Sequence, residues 1–124
     1  MSDVFKIKQQ TYYFGAYKKS LEILKHLPDQ ARLMRIQRNI PAQIVIDPVD
    51  EPTFHTDKYR KLTSMRFLPS LVDFPAMIFI YGNKVGMFTI KGDLIGMIIE
   101  NKEFSLAMKI IFDLYWKMGK PAKL

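Results

Sequence analysis

Three arginines, Arg32, Arg35 and Arg38, recur every third residue and are the most regular set of oxyanion-binding side chains in this 124-residue chain. A guanidinium grips a phosphate or carboxylate through two parallel hydrogen bonds, so the series is a candidate cradle for an anionic ligand. Its competing role is a solvated helix face whose arginine stems lie on apolar neighbours. Asp47 closes a β-branched run just before Pro48. It can face a ligand crevice at a strand end, or cap its own turn. Lys84 follows the Gly82-Asn83 turn, and Glu100 immediately precedes Asn101. This pair can line a pocket at a sheet edge, or serve turn and capping geometry alone. His55 and Asp57 offer two metal ligands with no third nearby, and His26 lies elsewhere, so no metal site is expected. The absence of cysteine removes disulfides, thiolate metal ligands and a cysteine nucleophile. These types and spacings indicate neither a catalytic residue nor a cofactor.

The elements that must position these residues follow from periodicity and punctuation. Residues 5–14 are rich in aromatic and extended-type side chains and stop at Gly15, which predicts a first strand. Tyr17, Leu21, Leu24 and Leu27 recur at helical spacing, and Pro28-Asp29 suits the opening turn of a second helix. That second helix is expected to bury Leu33, Ile36, Gln37 and Ile40 and to carry the arginines on another side. Residues 43–47 predict a buried central strand between Pro41 and Pro48. Residues 49–61 predict a loop with one helical turn near 57–61, and residues 63–68 another strand.

Residues 77–99 hold three apolar segments separated by Gly82-Asn83 and Gly92-Asp93, the pattern of an antiparallel meander. Both faces of its strands are apolar, so helices are expected on both, giving three layers. Asn101 is a good N-cap for a last helix running to about Met118 and stopped by Gly119 and Pro121. Phe104, Ala107, Met108, Ile111, Tyr115 and Met118 are its expected core stripe. Ile110, Phe112 and Leu114 widen the arc beyond what a surface helix needs. Leu106 and Trp116 fall outside it, so Leu106, Ile110, Leu114 and Trp116 are candidate contacts for a second subunit.

Composition bounds these readings. Hydrophobic residues are 48% and charged residues 25%, an ordinary globular balance for one domain spanning residues 1–124. The net charge of +7 favours polyanions at low salt, without a block of consecutive basic residues. The apolar run 76–81 is too short to cross a bilayer, and Met1-Ser2-Asp3-Val4 lacks a signal pattern, so a soluble cytoplasmic domain without membrane partners is expected.

Two stretches carry a family resemblance. One spans residues 35–68, where a helix with paired arginines leads into Ile44-Val45-Ile46-Asp47-Pro48, a loop, and Lys61-Leu62-Thr63-Ser64-Met65-Arg66-Phe67-Leu68. The other holds Ile78-Phe79-Ile80-Tyr81-Gly82-Asn83-Lys84-Val85, then residues 95–103 and 111–116. In this order they resemble the C-terminal domain of TrmB-like transcriptional regulators, itself similar to one half of the phospholipase D fold. The resemblance covers residues 12–116. It implies a single α/β domain with a mixed, largely antiparallel sheet sandwiched by helices, which pairs with a copy of itself.

Active phospholipase D proteins need a His-x-Lys-x-x-x-x-Asp element entering this hairpin, with histidine as nucleophile and lysine on a phosphate oxygen. Aligned on Tyr81 as the aspartate position, Ala76 stands for the lysine and Phe74 for the histidine. A non-catalytic module is therefore expected: an effector-sensing or dimerisation domain, homodimeric, with a small-molecule effector. DNA contact would come mainly through an N-terminal winged helix, for which the short stretch before the first strand leaves no room. The alternative is a stand-alone basic module that touches nucleic acid weakly through Lys18, Lys19, Arg32, Arg35 and Arg38.

Overall fold

The computed structural model describes residues 10–24, 27–49, 56–93 and 95–122. Strand β1 (Thr11–Gly15) leads into helices α1 (Tyr17–Leu24) and α2 (Leu27–Gln37), then strand β2 (Ala42–Ile46). Helix α3 (Asp57–Leu62) precedes β3 (Thr63–Phe67), and a short 3-10 helix (Pro69–Asp73) leads to β4 (Ala76–Tyr81). The meander continues through β5 (Lys84–Thr89) and β6 (Gly96–Glu100) into helix α4 (Lys102–Met118) and the two-residue strand β7 (Lys120–Pro121). The seven strands form one sheet in the order β6-β5-β4-β1-β2-β3-β7. Pairs β1–β2 and β2–β3 are parallel and the other four are antiparallel, so the sheet is mixed and largely antiparallel.

Local chemistry explains the boundaries. Asn39 adopts φ 57° and ends α2, with Ile40 N–H bonded back to the Arg35 carbonyl at 3.1 Å. Asparagine tolerates this left-handed position better than most residues, and it turns the chain so that Ile40 enters the core. Thr56 caps α3 by accepting from Tyr59 N–H, and Asn101 caps α4 by accepting from Phe104 N–H at 2.8 Å. Ser105 then fixes the helix to the meander by donating to the Gly82 carbonyl at 2.8 Å.

Alternate residues of the sheet feed two cores. On one face Phe14, Val45, Ile78, Ile80 and Val85 pack with Phe112, and Met108, Tyr115 and Trp116 of α4 border them. On the other, Phe79 and Tyr81 pack with Ile40, bordered by Tyr13 and by Ala31 of α2. Helices thus cover both faces of the central strands. They do not cover β6, whose five residues are all exposed.

Several expectations need correction. The first strand begins at Thr11; residues 1–9 lie outside the described residues, as do His26 and His55. Helix α1 is described over Tyr17–Leu24 and Leu27 opens α2, while residues 25 and 26 lie outside the described residues. Of the residues expected to be buried on and just after α2, Ile40 is buried and Ile36 half-buried, but Leu33 is 56% exposed, Gln37 is exposed, and Arg35 is buried in their place. On α4, Phe104, Ile111 and Met118 face solvent, whereas Ser105, Phe112 and the half-buried Trp116 face the sheet. The reason is that α4 is apolar on two sides. The aromatic side wins the sheet: Phe112 lies 5.1 Å from the Tyr12 ring and stacks on Trp116, which carries the Arg66 guanidinium at 4.3 Å.

Candidate functional site

The structure separates the three arginines. Arg35 is 4% exposed, and its guanidinium donates to the Ile40 carbonyl at 2.9 Å and to Thr63 Oγ1 at 2.7 Å. It also lies over the Tyr59 ring, 5.5 Å from the centroid. These bonds tie α2 and its C-terminal turn to β3, so Arg35 is spent inside the fold. Arg32 is half-buried and Arg38 exposed, and both have interactions of their own.

Burial lowers the pKa of Arg35 below that of an ordinary guanidinium, opposed by the neighbouring Tyr13 and Tyr59. Burial also raises both phenols, against the pull of Arg35. A raised tyrosine pKa means that the folded state keeps protons which the unfolded chain has lost. Its stabilising contribution is therefore complete below the ordinary tyrosine value of about 10 and declines above it. Urea midpoints should fall from about pH 9 to about pH 11, and Tyr59→Phe should flatten that fall. An unchanged slope in Tyr59→Phe would show that this phenol does not carry the effect.

Asp47 is 1% exposed at the end of β2. Its Oδ1 accepts from Tyr17 N–H at 2.6 Å, so it anchors the first turn of α1 across the parallel β1–β2 pair, not its own turn. Its Oδ2 meets no hydrogen-bond donor among the described residues. Lys84 and Glu100 stand opposite each other on β5 and β6 and form an ion pair at 3.6 Å. The structure therefore places the sequence-selected polar residues in three separate locations. Among the described residues no group of three His, Asp or Glu side chains could hold a metal ion.

The hairpin positions tested for phosphodiester chemistry are distributed through the cores. Phe74 packs near the rings of Phe14 and Tyr115, at 5.8 and 6.5 Å. Ala76 is 5% exposed at the start of β4, and Tyr81, fully buried at its far end, stacks on Phe79. Ala76 lies on the face of β4 that α4 packs, Tyr81 on the other.

Exposed apolar side chains on β6 and α4 are a surface feature that sequence reasoning underweighted. Ile95, Met97, Ile98 and Ile99 beside and within β6 are 38–50% exposed. Phe104, Leu106, Ile110, Ile111, Leu114 and Met118 of α4 are 37–58% exposed. The β6 side chains lie on both faces of an edge strand and the α4 side chains along a helix, so they form separate apolar surfaces, each of a kind that commonly meets a partner. Leu106, Ile110 and Leu114 form the outer ridge of α4, at spacings of four. Trp116 is instead half-buried against the sheet.

No protein-family model matches the chain, and no curated protein matches it in sequence. Solved structures do. A structure of TrmBL2, an archaeal chromatin protein that shows a novel mode of DNA binding, superimposes with a TM-score of 0.67 at 13% identity. Nuc, a phospholipase D family member from Salmonella typhimurium, superimposes with a TM-score of 0.62 at 16% identity. The fold is phospholipase D-like. The match to Nuc spans 99% of this chain and 88% of Nuc, and that to TrmBL2 98% and 48%, so the chain is about half the length of TrmBL2. Of the three hairpin positions considered above, Phe74 is half-buried, and Ala76 and Tyr81 are buried. No helix among the described residues is long and apolar enough to cross a membrane.

Proposed function

We propose that this chain is a non-catalytic regulatory module that pairs with a second copy of itself through the outer ridge of α4. The observation that carries this reading is the second apolar face of that helix, Leu106, Ile110, Leu114 and Met118, each 54–58% exposed. A helix with one apolar face is held by its own sheet; a second face of this size needs a partner. Two-fold pairing is the commonest way to cover such a surface. Phe74 and Ala76, at the positions that the sequence reading pairs with the histidine and lysine, supply neither nucleophile nor phosphate ligand, and the Tyr81 phenol is buried, which supports a role in assembly and sensing over turnover. The structural likeness to TrmBL2 supports a place within a TrmB-like regulator, where a small effector bound near the subunit interface would bias the orientation of attached DNA-binding parts.

Light scattering tests the pairing. The wild-type chain is expected to contain a dimer, and Ile110→Glu/Leu114→Glu to weaken it by about 100-fold or more, since buried interface anchors are worth ~2 kcal/mol each. Both side chains are more than half exposed in the monomer, so the far-ultraviolet dichroism should not change. A wild-type chain that stays monomeric at about 100 μM, well above the Kd of a specific dimer, overturns the reading. The net charge of +7 supports a second reading, direct contact with nucleic acid through Lys18, Arg32 and Arg38. Retention on duplex DNA with a steep salt slope would favour it.

A further inference from the structure

We infer that the open edge of β6 is a second self-association surface, on which β6 of another copy adds antiparallel and extends the sheet. The direction of the backbone groups shows how. At one end of the β5–β6 ladder Thr89 N–H donates to the Ile95 carbonyl at 2.8 Å, and at the other Asn101 N–H donates to the Asn83 carbonyl at 2.9 Å. Between them Val85 faces Ile99 and Met87 faces Met97. Hydrogen-bonded pairs alternate along an antiparallel ladder, so residues 95, 97, 99 and 101 spend their backbone groups on β5. Gly96, Ile98 and Glu100 point theirs at the open edge, since β6 is the terminal strand of the described sheet.

A symmetric partner must match outward-pointing residues with outward-pointing residues. The register that uses the whole strand sets Ile98 opposite Ile98 of the second copy and Gly96 opposite Glu100, forming about six new ladder bonds. It is self-complementary in charge and in shape. The sole charged side chain of β6, Glu100, lies at opposite ends of the paired strands in the two copies, each beside its own Lys84. Glu100 falls over Gly96 of the other copy, where an added Cβ would meet only the Met87 carbonyl, at 4.0 Å. Met97 and Ile99 on one face and Ile98 on the other gain apolar neighbours, which no single covering helix can give to both faces of a strand. Natural edge strands are protected by lysine, proline or a bulge; Gly96–Glu100 has none of these.

The two-fold axis of this pairing runs perpendicular to the sheet, and its ladder bonds use Gly96, Ile98 and Glu100 and no residue of the outer ridge of α4. The strand edge and the helix ridge are therefore distinct interfaces, and together they build assemblies larger than a dimer.

Because the chain has no cysteine, one introduced thiol reports on the edge. Opposed residues in a hydrogen-bonded antiparallel pair have Cα atoms about 5.5 Å apart, within disulfide range. Ile98→Cys should form a covalent dimer under mild oxidation, and should still do so when Ile110→Glu/Leu114→Glu has removed the helix contact. Amides of Gly96, Ile98 and Glu100 should gain hydrogen-exchange protection as protein concentration rises. A dimer that loses all association with Ile110→Glu/Leu114→Glu, while Ile98→Cys stays a free thiol, overturns strand pairing and leaves helix pairing standing. Cross-linking of Ile98→Cys in a chain whose mass is indifferent to Ile110→Glu/Leu114→Glu supports strand pairing and overturns helix pairing.

Discussion

Gly15→Ala should cost about 3–5 kcal/mol, much of the stability expected of a domain this size. Gly15 ends β1, facing Ile46 on the parallel side and Met77 on the antiparallel side. Its φ of +144° belongs to a region that side-chain-bearing residues avoid, at about 1–3 kcal/mol. An added Cβ would also collide with the Ala76 carbonyl oxygen and with Cα and Sδ of Met77. The sulfur can move, but the two backbone atoms belong to a paired strand and cannot without breaking the ladder. Ala16 N–H also approaches that same Ala76 carbonyl, and Tyr17 N–H, one residue on, is held by Asp47. Relief of the clash would therefore shift the start of α1. Gly92→Ala is the control, with φ +70° but open space around the added methyl, and should cost only about 1 kcal/mol. Urea unfolding of both variants decides the matter. A Gly15→Ala loss no larger than that of Gly92→Ala would mean the strand junction is softer than its geometry implies.

The meander shows what a sequence can reveal. Gly82-Asn83 and Gly92-Asp93 are strong local turn signals, and the alternation between them gives the faces of β5 and β6 that the structure has. Asn101 announces the start of α4 for the same reason: capping is chemistry between residues three apart. The orientation of α4 is not local. Counting apolar residues selects the face of Phe104, Ile111 and Met118, since it is nearly as hydrophobic as the true inner face. What turns Phe112, Tyr115 and Trp116 inward is the shape of their destination, the rings of Tyr12, Phe14 and Phe74 from distant parts of the chain. Exposure of β6 is equally non-local. Its alternation reads as a strand covered on both faces, and only the path of α4, which crosses β5, β4, β1 and β2, leaves it bare.

The candidate site was legible in part for a related reason. Arginines at every third residue identify a charged series, yet nothing in that spacing says that one guanidinium will close an interior hydrogen-bonding need. The αL residue Asn39 creates the need by turning the Ile40 carbonyl into the core, and Thr63 adds a hydroxyl from a strand 28 residues away. Asp47 likewise finds its partner 30 residues upstream, at Tyr17 N–H.

Arg35→Ala is accordingly expected to destabilise the fold by about 3 kcal/mol, through two stranded acceptors and a cavity beside the Tyr59 ring. Arg35→Met restores much of the volume and removes the desolvated charge, but still leaves the Ile40 carbonyl and Thr63 hydroxyl without their donor, so it should fall between Ala and wild type. Arg38→Ala, at an exposed position, should change stability by less than about 0.5 kcal/mol. The three variants separate a structural arginine from a ligand-binding one. An anion cradle would show the opposite pattern, with Arg35→Ala and Arg38→Ala equally stable and both weakened in binding to an anion column. Denaturant midpoints and column retention, measured on the same variants, distinguish the two. The burial and bonding of Arg35 place it with the scaffold, leaving any contact with polyanions to Arg32 and Arg38 and to the lysines of α1.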